Sequence, residues 1–321
     1  MKLSILLATY NGEEYLSAQL ESLIDQSYSD FTVYISDDCS TDGTSQVIEN
    51  FVSRYPQKII DLKNSEHFGS AKKNFLNLVE KVDSDIYMFC DQDDVWLPNK
   101  IELTLNEYKK TANENVPVLI HTDLKVVDGN LQIIDDSLFN YMQMVKNVAD
   151  WRNFAVQNTV TGCTMLINRT LADLYKKNKN LVNLDNILMH DYFFALLASV
   201  CGKIVFIEEP TMLYRQHGKN SVGAKNVCSI NYALQKLRSA KVTDSEVVGC
   251  LLQAGEVAKI LKLYNQECAG EKSAKVLEAA QILEDYSKIK ELSKLKRIRF
   301  INKNKLLKKG AKRRLFQLFT I

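Results

Sequence analysis

The sequence predicts an α/β protein with a mostly parallel central sheet flanked by helices and an all-helical C-terminal extension. Three observations carry that expectation. Apolar runs of strand length alternate with helix-period segments from Leu3 to Cys90, the pattern of βαβ units. Polar clusters close three of those runs, at Thr9-Tyr10-Asn11, Asp37-Asp38 and Asp91 to Asp94, where a parallel sheet presents its carboxyl edge to ligands. From about Asn226 no strand signal remains, and the charge balance inverts. Residues 1–225 hold 21 Lys/Arg against 30 Asp/Glu, and residues 226–321 hold 20 against 9. The expected domains are 1–225 and 226–321.

Residues 3–9 read as a buried strand, broken by Asn11-Gly12. Glu13 to Gln26 follows as a helix, with Tyr15, Leu16, Leu20, Leu23 and Ile24 at helical spacing. Phe31–Ile35 is the second strand and about Thr44–Tyr55 the second helix. Lys58–Leu62 is a short third strand, 64–69 a loop and Ser70–Val82 a helix. Ile86–Cys90 is the fourth strand. Lys100–Lys110 then reads as a helix and Val118–Thr122 as a strand ending in His121-Thr122-Asp123. Residues 128–160 are poorly patterned. Val160–Asn168 resembles a strand interrupted by Gly162, and Arg169–Lys177 a short helix. Asp185–Cys201 is an apolar helix, Ile204–Ile207 a strand and Glu208–Gly223 a polar loop. Lys236–Tyr286 reads as two helices that pack through Val247, Val248, Leu251, Leu252, Val257, Ile260 and Leu261.

Composition is that of an ordinary soluble globular protein, 46% apolar and 25% charged over 321 residues. Seven cysteines are scattered without a C-x-x-C pair, which points to reduced thiols in a cytosolic protein, not to a disulfide framework or zinc site. Leu3 to Ala8 is too short for a signal segment, and no apolar run reaches the roughly 18–20 residues of a membrane span. The expectation is a soluble or peripheral protein.

The most informative stretch is Ile86 to Trp96, an apolar strand that stops at three carboxylates within four positions, Asp91, Asp93 and Asp94. Carboxylates so close repel one another and raise one another's pKa. A hard divalent cation, Mg²⁺ or Mn²⁺, relieves that repulsion and commonly bridges carboxylates to substrate phosphates. The alternative is a solvated acidic turn. Asp37 to Gly43 likewise reads either as a ligand edge or as a helix-capping turn. Lys72 and Lys73 open a helix, where the dipole disfavours cations, so a facing ligand anion or an exposed helix face would explain them.

Six motifs in order give a resemblance over roughly residues 1–225. They are Ala8-Thr9-Tyr10-Asn11-Gly12, Ser36 to Gly43, Gly69 to Asn74, Asp91-Gln92-Asp93-Asp94-Val95-Trp96, His190-Asp191 and Tyr214-Arg215-Gln216-His217. The set resembles the inverting glycosyltransferases of family 2, which have the Rossmann-like GT-A fold, and within them the rhamnosyltransferase-like branch. The resemblance implies a base-binding carboxylate at Asp38, which would accept the N3–H of uracil or thymine, with Thr9, Tyr10 and Asn11 beside the nucleotide. It implies nucleotide contacts from Lys73, Asp91 and Arg215. Asp93 and His217 would ligate Mn²⁺ or Mg²⁺. Asp94, Trp96, Asn158, Gly162 and His190 would line the donor-sugar or acceptor site, and Asp191 would be the catalytic base. A helix-capping role for Asp191 stays open at this point. Lys73 stands where the family often has Arg, which keeps the charge without the bidentate fork. His121-Thr122-Asp123 reads as a structural strand end or an edge of the sugar site.

The resemblance implies a dTDP- or UDP-sugar donor, dTDP-rhamnose for the rhamnosyltransferase-like branch, and a lipid-linked bacterial glycan as acceptor. The C-terminal tail suits that acceptor. Eleven Lys/Arg fall between Lys294 and Arg314, interleaved with Leu295, Ile298, Ile301, Leu306, Leu307, Leu315, Phe316, Leu318, Phe319 and Ile321. Such a segment reads as an anchor to the anionic inner face of the cell membrane, at about 1 kcal/mol per basic residue, or as a helical face packed on the body or on a second subunit of a homodimer. Nucleic-acid binding is disfavoured by the acidic body. Two rival functions are a nucleotidyltransferase, which usually has a Gly-rich basic loop where Thr9 to Glu14 is acidic, and a non-catalytic nucleotide-sugar-binding protein.

Overall fold

A computed structural model describes the whole chain except residues 112–115, 147, 149, 219–222, 224–239, 311–312, 315–316 and 318–321. Cys228, Lys236, Leu315, Phe316, Leu318, Phe319 and Ile321 lie outside the described residues, as does the side of the 208–223 segment beyond residue 218 apart from Gly223. The chain divides into two compact units. A sheet unit holds residues 1–144, 161–172 and 205–225, and a helical unit holds 145–160, 173–204 and 226–321. The expected single boundary at 225 therefore leaves out two earlier stretches, 145–160 and 173–204, that pack with the C-terminal helices.

Among the described residues the sheet has nine strands: β1 (Leu3–Thr9), β2 (Thr32–Asp37), β3 (Ile59–Asp61), β4 (Ile86–Cys90), β5 (Val95–Trp96), β6 (Val118–Val127), β7 (Ile133–Asp135), β8 (Leu166–Asn168) and β9 (Lys203–Arg215). Their order is β3-β2-β1-β4-β8-β6-β9-β5, with β7 on β6. The first four strands are parallel, and β1 and β4 are buried along their whole length, as expected of a sheet covered on both faces. The connecting helices are α1 (Leu16–Ile24), α2 (Thr44–Arg54) and α3 (Ala71–Lys81), followed by α4 (Lys100–Thr111) and the short α5 (Leu138–Tyr141). Where the sequence expectation was mostly parallel, pairing from β4 to β8 and beyond is antiparallel, so the sheet is mixed.

The order of strands places the site. The chain steps outward from β1 to β3 and then returns to lay β4 on the other side of β1, which creates a topological switch point between β1 and β4. Register holds the carboxyl ends level there, with Thr9 opposite Asp37 and Leu7 opposite Cys90.

Two expectations for the second half are corrected. Glu208 to Arg215 is not loop but the continuation of β9, pinned by Val95 opposite Leu213 and Trp96 opposite Met212. Val160 to Leu166 is not one strand, because Gly162–Thr164 forms a 3₁₀ turn before β8.

The helical unit contains α6 (Trp151–Phe154), α8 (His190–Cys201), α9 (Ala240–Tyr264), α10 (Gly270–Ser287) and α11 (Lys294–Lys303), while α7 (Arg169–Asn178) begins in the sheet unit. Ten of the twelve residues of α8 are buried, so it is the unit's core helix. Val247, Leu251, Val257, Ile260 and Leu261 of α9 are buried as expected, but Leu252 is exposed and Val248 only half-buried. In the tail Ile301 and Leu306 are buried, and Leu295 projects outward. No helix among the described residues is long and apolar enough to cross a membrane.

Candidate active site

The loops after β1, β2 and β4 are tied to one another by side chains. Gln92 is the clasp at the switch point. Its Oε1 accepts from Thr9 Oγ1 at 2.6 Å and from the Tyr10 N–H at 2.8 Å, and its Nε2 donates to the Tyr10 carbonyl at 3.1 Å. A Cβ at Gly12 would come within 2.4 Å of that Oε1, so the clasp needs glycine beside it. Asn11, in the left-handed region at φ 48°, accepts the Thr41 N–H on its Oδ1 at 2.9 Å, and its own N–H donates to Ser40 Oγ at 2.8 Å. Asp42 accepts from the Thr44 N–H at 3.1 Å, although the N-cap position of α2 belongs to Gly43 and not to an acid of this turn.

Asp38 is buried, and its carboxylate accepts the N–H groups of Phe68 and Gly69, the latter at 3.0 Å. It therefore fixes the loop before α3. A carboxylate has about four acceptor sites, so these bonds leave capacity for a further donor. Tyr10 is exposed nearby, with its ring 5.3 Å from that of His67. Asn74 is buried and latches α3 to β2 through Ser36, while Lys73 sits in the first turn of α3, whose N-cap is Ser70.

The acidic turn meets the end of β9. Asp93 Oδ2 lies 2.8 Å from His217 Nε2. Arg215 donates through Nε to the Asp93 carbonyl at 2.8 Å and through Nη1 to the Gly129 carbonyl at 2.7 Å, and its N–H donates to Asp94 Oδ1 at 3.1 Å. Its guanidinium lies 4.7 Å over the Tyr15 ring, which in turn stacks 4.8 Å from His217. Arg215 thus holds the turn through backbone groups, a role beyond the diphosphate contact that the resemblance implies. Asp94 is fully buried, its Oδ2 has no hydrogen-bond partner among the described residues, and the weak thiol of Cys163 lies beside the carboxyl. Burial, then the neighbouring Asp93 and Asp91, push this carboxyl well above the usual range. Asp91, Asp94 and Cys163 offer ligand atoms within 4.8 Å of one another.

Trp96 is core. It lies beneath the turn, with its N–H donated to Ser22 Oγ at 3.0 Å, and does not line an open sugar site. Gly162 is buried at the start of its 3₁₀ turn. In the helical unit Asn158 closes a local loop on Val160, and His190 is buried at the start of α8, its imidazole pushed down to about 3 by burial. Asp191 is also buried, in the first turn of α8, with Oδ1 accepting the Tyr192 N–H. The N-cap position belongs to Met189, so the carboxylate sits inside the helix start, where the dipole favours its charge. His121 to Asp123 is structural: His121 is buried and pushed down to about 3, and Asp123 holds the start of α5 through Ser137 and the Leu138 N–H.

Three side chains at this site carry roles that sequence reasoning missed: Gln92, Tyr15 and Lys100. Lys100 is fully buried below the turn. Its Nζ donates to Thr211 Oγ1 at 3.1 Å and lies 4.7 Å over the Trp96 ring. Burial pushes its pKa down to about 8. The unfolded chain holds that proton up to about 10.4, so between the two values it binds more protons than the native protein, and stability contributed by this group rises with pH. In urea titrations the unfolding free energy of the wild type minus that of Lys100→Met is expected to climb from pH 8 to about pH 10 and stay level below pH 8. A level difference across the upper window contradicts the placement of the ammonium.

A family model described as glycosyl transferase family 2 matches residues 4–175, more than half of the chain. The chain belongs to glycosyl transferase family 2. It is similar to the dTDP-rhamnosyl transferase RfbG of Shigella flexneri, 33% identical over 232 residues that span 68% of this chain and 74% of that one. It is also similar to the Escherichia coli UDP-Glc:alpha-D-GlcNAc-diphosphoundecaprenol beta-1,3-glucosyltransferase WfgD, 27% identical over 52% of this chain and 60% of the relative. Among solved structures, Staphylococcus aureus TarS residues 1–349 in complex with UDP-GlcNAc shares the fold at a TM-score of 0.53 and 17% identity, covering 92% of this chain and 82% of that one. The protein is a family 2 glycosyltransferase with a GT-A-like mixed sheet.

Proposed function

We propose that this glycosyltransferase moves a sugar, L-rhamnose from dTDP-rhamnose, to a hydroxyl of a lipid-linked bacterial surface glycan, with inversion at the anomeric carbon. The similarity to a dTDP-rhamnosyl transferase over two thirds of the chain carries the reading of the donor, and the similarity to a diphosphoundecaprenol-directed enzyme supports that of the acceptor. Thr9, Tyr10, Asn11 and Asp38 would bind the nucleoside from the ends of β1 and β2, with Lys73 and Asp91 toward its ribose and phosphates. Asp94 and Gly162 of the sheet unit, and Asn158 and His190 of the helical unit, stand at the positions that the resemblance gives to the sugar or acceptor. Asp191 takes the proton from the acceptor hydroxyl as that oxygen attacks, and the nucleoside diphosphate leaves from the opposite face.

The donor set fits a hard cation: carboxylates in excess, one imidazole, and a buried carboxylate oxygen at Asp94 without a strong donor. Asp93 and His217 would hold Mg²⁺ or Mn²⁺, whose chemistry here is Lewis-acid stabilisation of the leaving diphosphate. The basic residues of α11 and the exposed Leu295 support the reading of an attachment to the anionic cytoplasmic face of a membrane. Ile301 and Leu306 are buried inside the helical unit.

A panel of nucleotide sugars, assayed for nucleoside diphosphate release with and without chelator, tests the donor. Release is expected to be fastest from dTDP-rhamnose and lost in chelator. Preference for a UDP-hexose would overturn the donor assignment, and release undiminished by chelator would overturn the metal.

A further inference from the structure

The loop that leads into Asp191 is held from one face of α9. Glu256 Oε1 accepts from Asn186 Nδ2 at 2.7 Å, and its Oε2 accepts the Asn183 N–H at 3.1 Å. Gln253 Oε1 accepts the Leu188 N–H at 3.0 Å. At Gly249 the helix comes so close to Leu188 that a Cβ would lie 2.2 Å from Leu188 Cδ2. Beyond Asp191, Tyr192 Oη lies 3.5 Å from Cys250 Sγ. Residues 249, 253 and 256 recur at i, i+4 and i+7, which puts them on one stripe of a helix. Glu256 and Gln253 are both buried. Polar side chains buried on a helix cost stability unless bonded, and here the bonds go to the loop ahead of α8.

We propose that Glu256 and Gln253 are positioning residues for the transfer reaction, fixing the 183–188 loop and through it the place of the Asp191 carboxylate. The proposal rests on Asp191 being the base. It gives the C-terminal helices a part in the reaction besides any contact with a membrane or second subunit. Glu256 has the features such a strut needs. Burial raises its pKa, but Lys259, Asn186 and the Asn183 N–H together hold it lowered, so it stays an anionic acceptor. Lys259 Nζ lies 2.7 Å from Oε2 and also donates to the Leu181 carbonyl at 3.3 Å, which extends the brace to the start of the loop. Leucine at 253 and 256 would pack this stripe without reaching the loop's N–H groups.

The test uses the full chain with Glu256→Ala, Glu256→Gln, Gln253→Met and, as a reference, Asp191→Asn. Glu256→Ala and Gln253→Met are expected to lower kcat roughly 10- to 100-fold, the range in which an ångström of misplacement acts. Donor KM and nucleotide affinity should stay unchanged, and Glu256→Gln, which keeps one acceptor oxygen for the Asn183 N–H, should recover part of the rate. The fraction folded, from circular dichroism, is measured for each variant. Loss of kcat only in proportion to unfolded protein, or no recovery by the glutamine, overturns the positioning role. Wild-type kcat in Gln253→Met and Glu256→Ala beside an inactive Asp191→Asn sinks this proposal alone. Wild-type kcat in Asp191→Asn sinks the assignment of the base on which it stands.

Discussion

Replacing Asp191 with asparagine is expected to lower kcat by about 10²- to 10⁴-fold, the usual contribution of a general base, with nucleotide affinity unchanged. The carboxylate is buried in the first turn of α8, and one oxygen already accepts the Tyr192 N–H. Asparagine keeps the size and can keep that bond through its amide oxygen, so loss of rate without loss of fold isolates the basic oxygen. The nucleotide-binding residues proposed at the ends of β1, β2 and β4 belong to the other unit, so their affinity should not follow the substitution. Steady-state kinetics with calorimetric nucleotide binding separates the two effects. A variant that turns over at the wild-type rate leaves Asp191 with only a helix-start role.

Replacing Asp93 with alanine is expected to lower kcat/KM by roughly 10²- to 10³-fold, as loss of several kcal/mol of transition-state stabilisation requires. The Asp93 carboxylate lies 2.8 Å from His217 Nε2, so both groups point at one place. Each should lose the same function when removed. His217→Ala is therefore expected to resemble Asp93→Ala, and the double variant to be little worse than either, because groups that act as a unit are not additive. Raising Mn²⁺ should recover part of the rate in each single variant. Additive losses, or insensitivity to added cation, would separate the pair from metal binding.

How far the sequence reveals this architecture depends on what buries each strand. β1 and β4 are covered on both faces and show as plain apolar runs, and their polar ends mark the switch point. β9 is hidden because Glu208 and Glu209 are exposed and Pro210 interrupts the pattern, features that ordinarily demote a strand. Its continuation is fixed by pairing with the two-residue β5, too short to register as periodicity. Within the site, the acids and His217 are conspicuous as residue types in a motif. Gln92 is not, since an amide between carboxylates gives no chemical signal and its clasp exists only once β1 and β4 adjoin. Lys100 was open to discovery, because it begins a helix where the dipole disfavours a cation, the same argument that singles out Lys72 and Lys73. The bracing of the 183–188 loop by α9 joins residues about 65 to 73 positions apart, beyond any local pattern.

Titration calorimetry of dTDP and UDP into the protein, in manganese or magnesium buffer and again with chelator, bears most directly on the idea that the acids after β4 grip a cation which grips a sugar nucleotide. Saturable uptake of at least one nucleotide is expected with the cation present, weakened by chelator and by Asp93→Ala. Absence of uptake in both cations, or equal uptake in chelator, would contradict it.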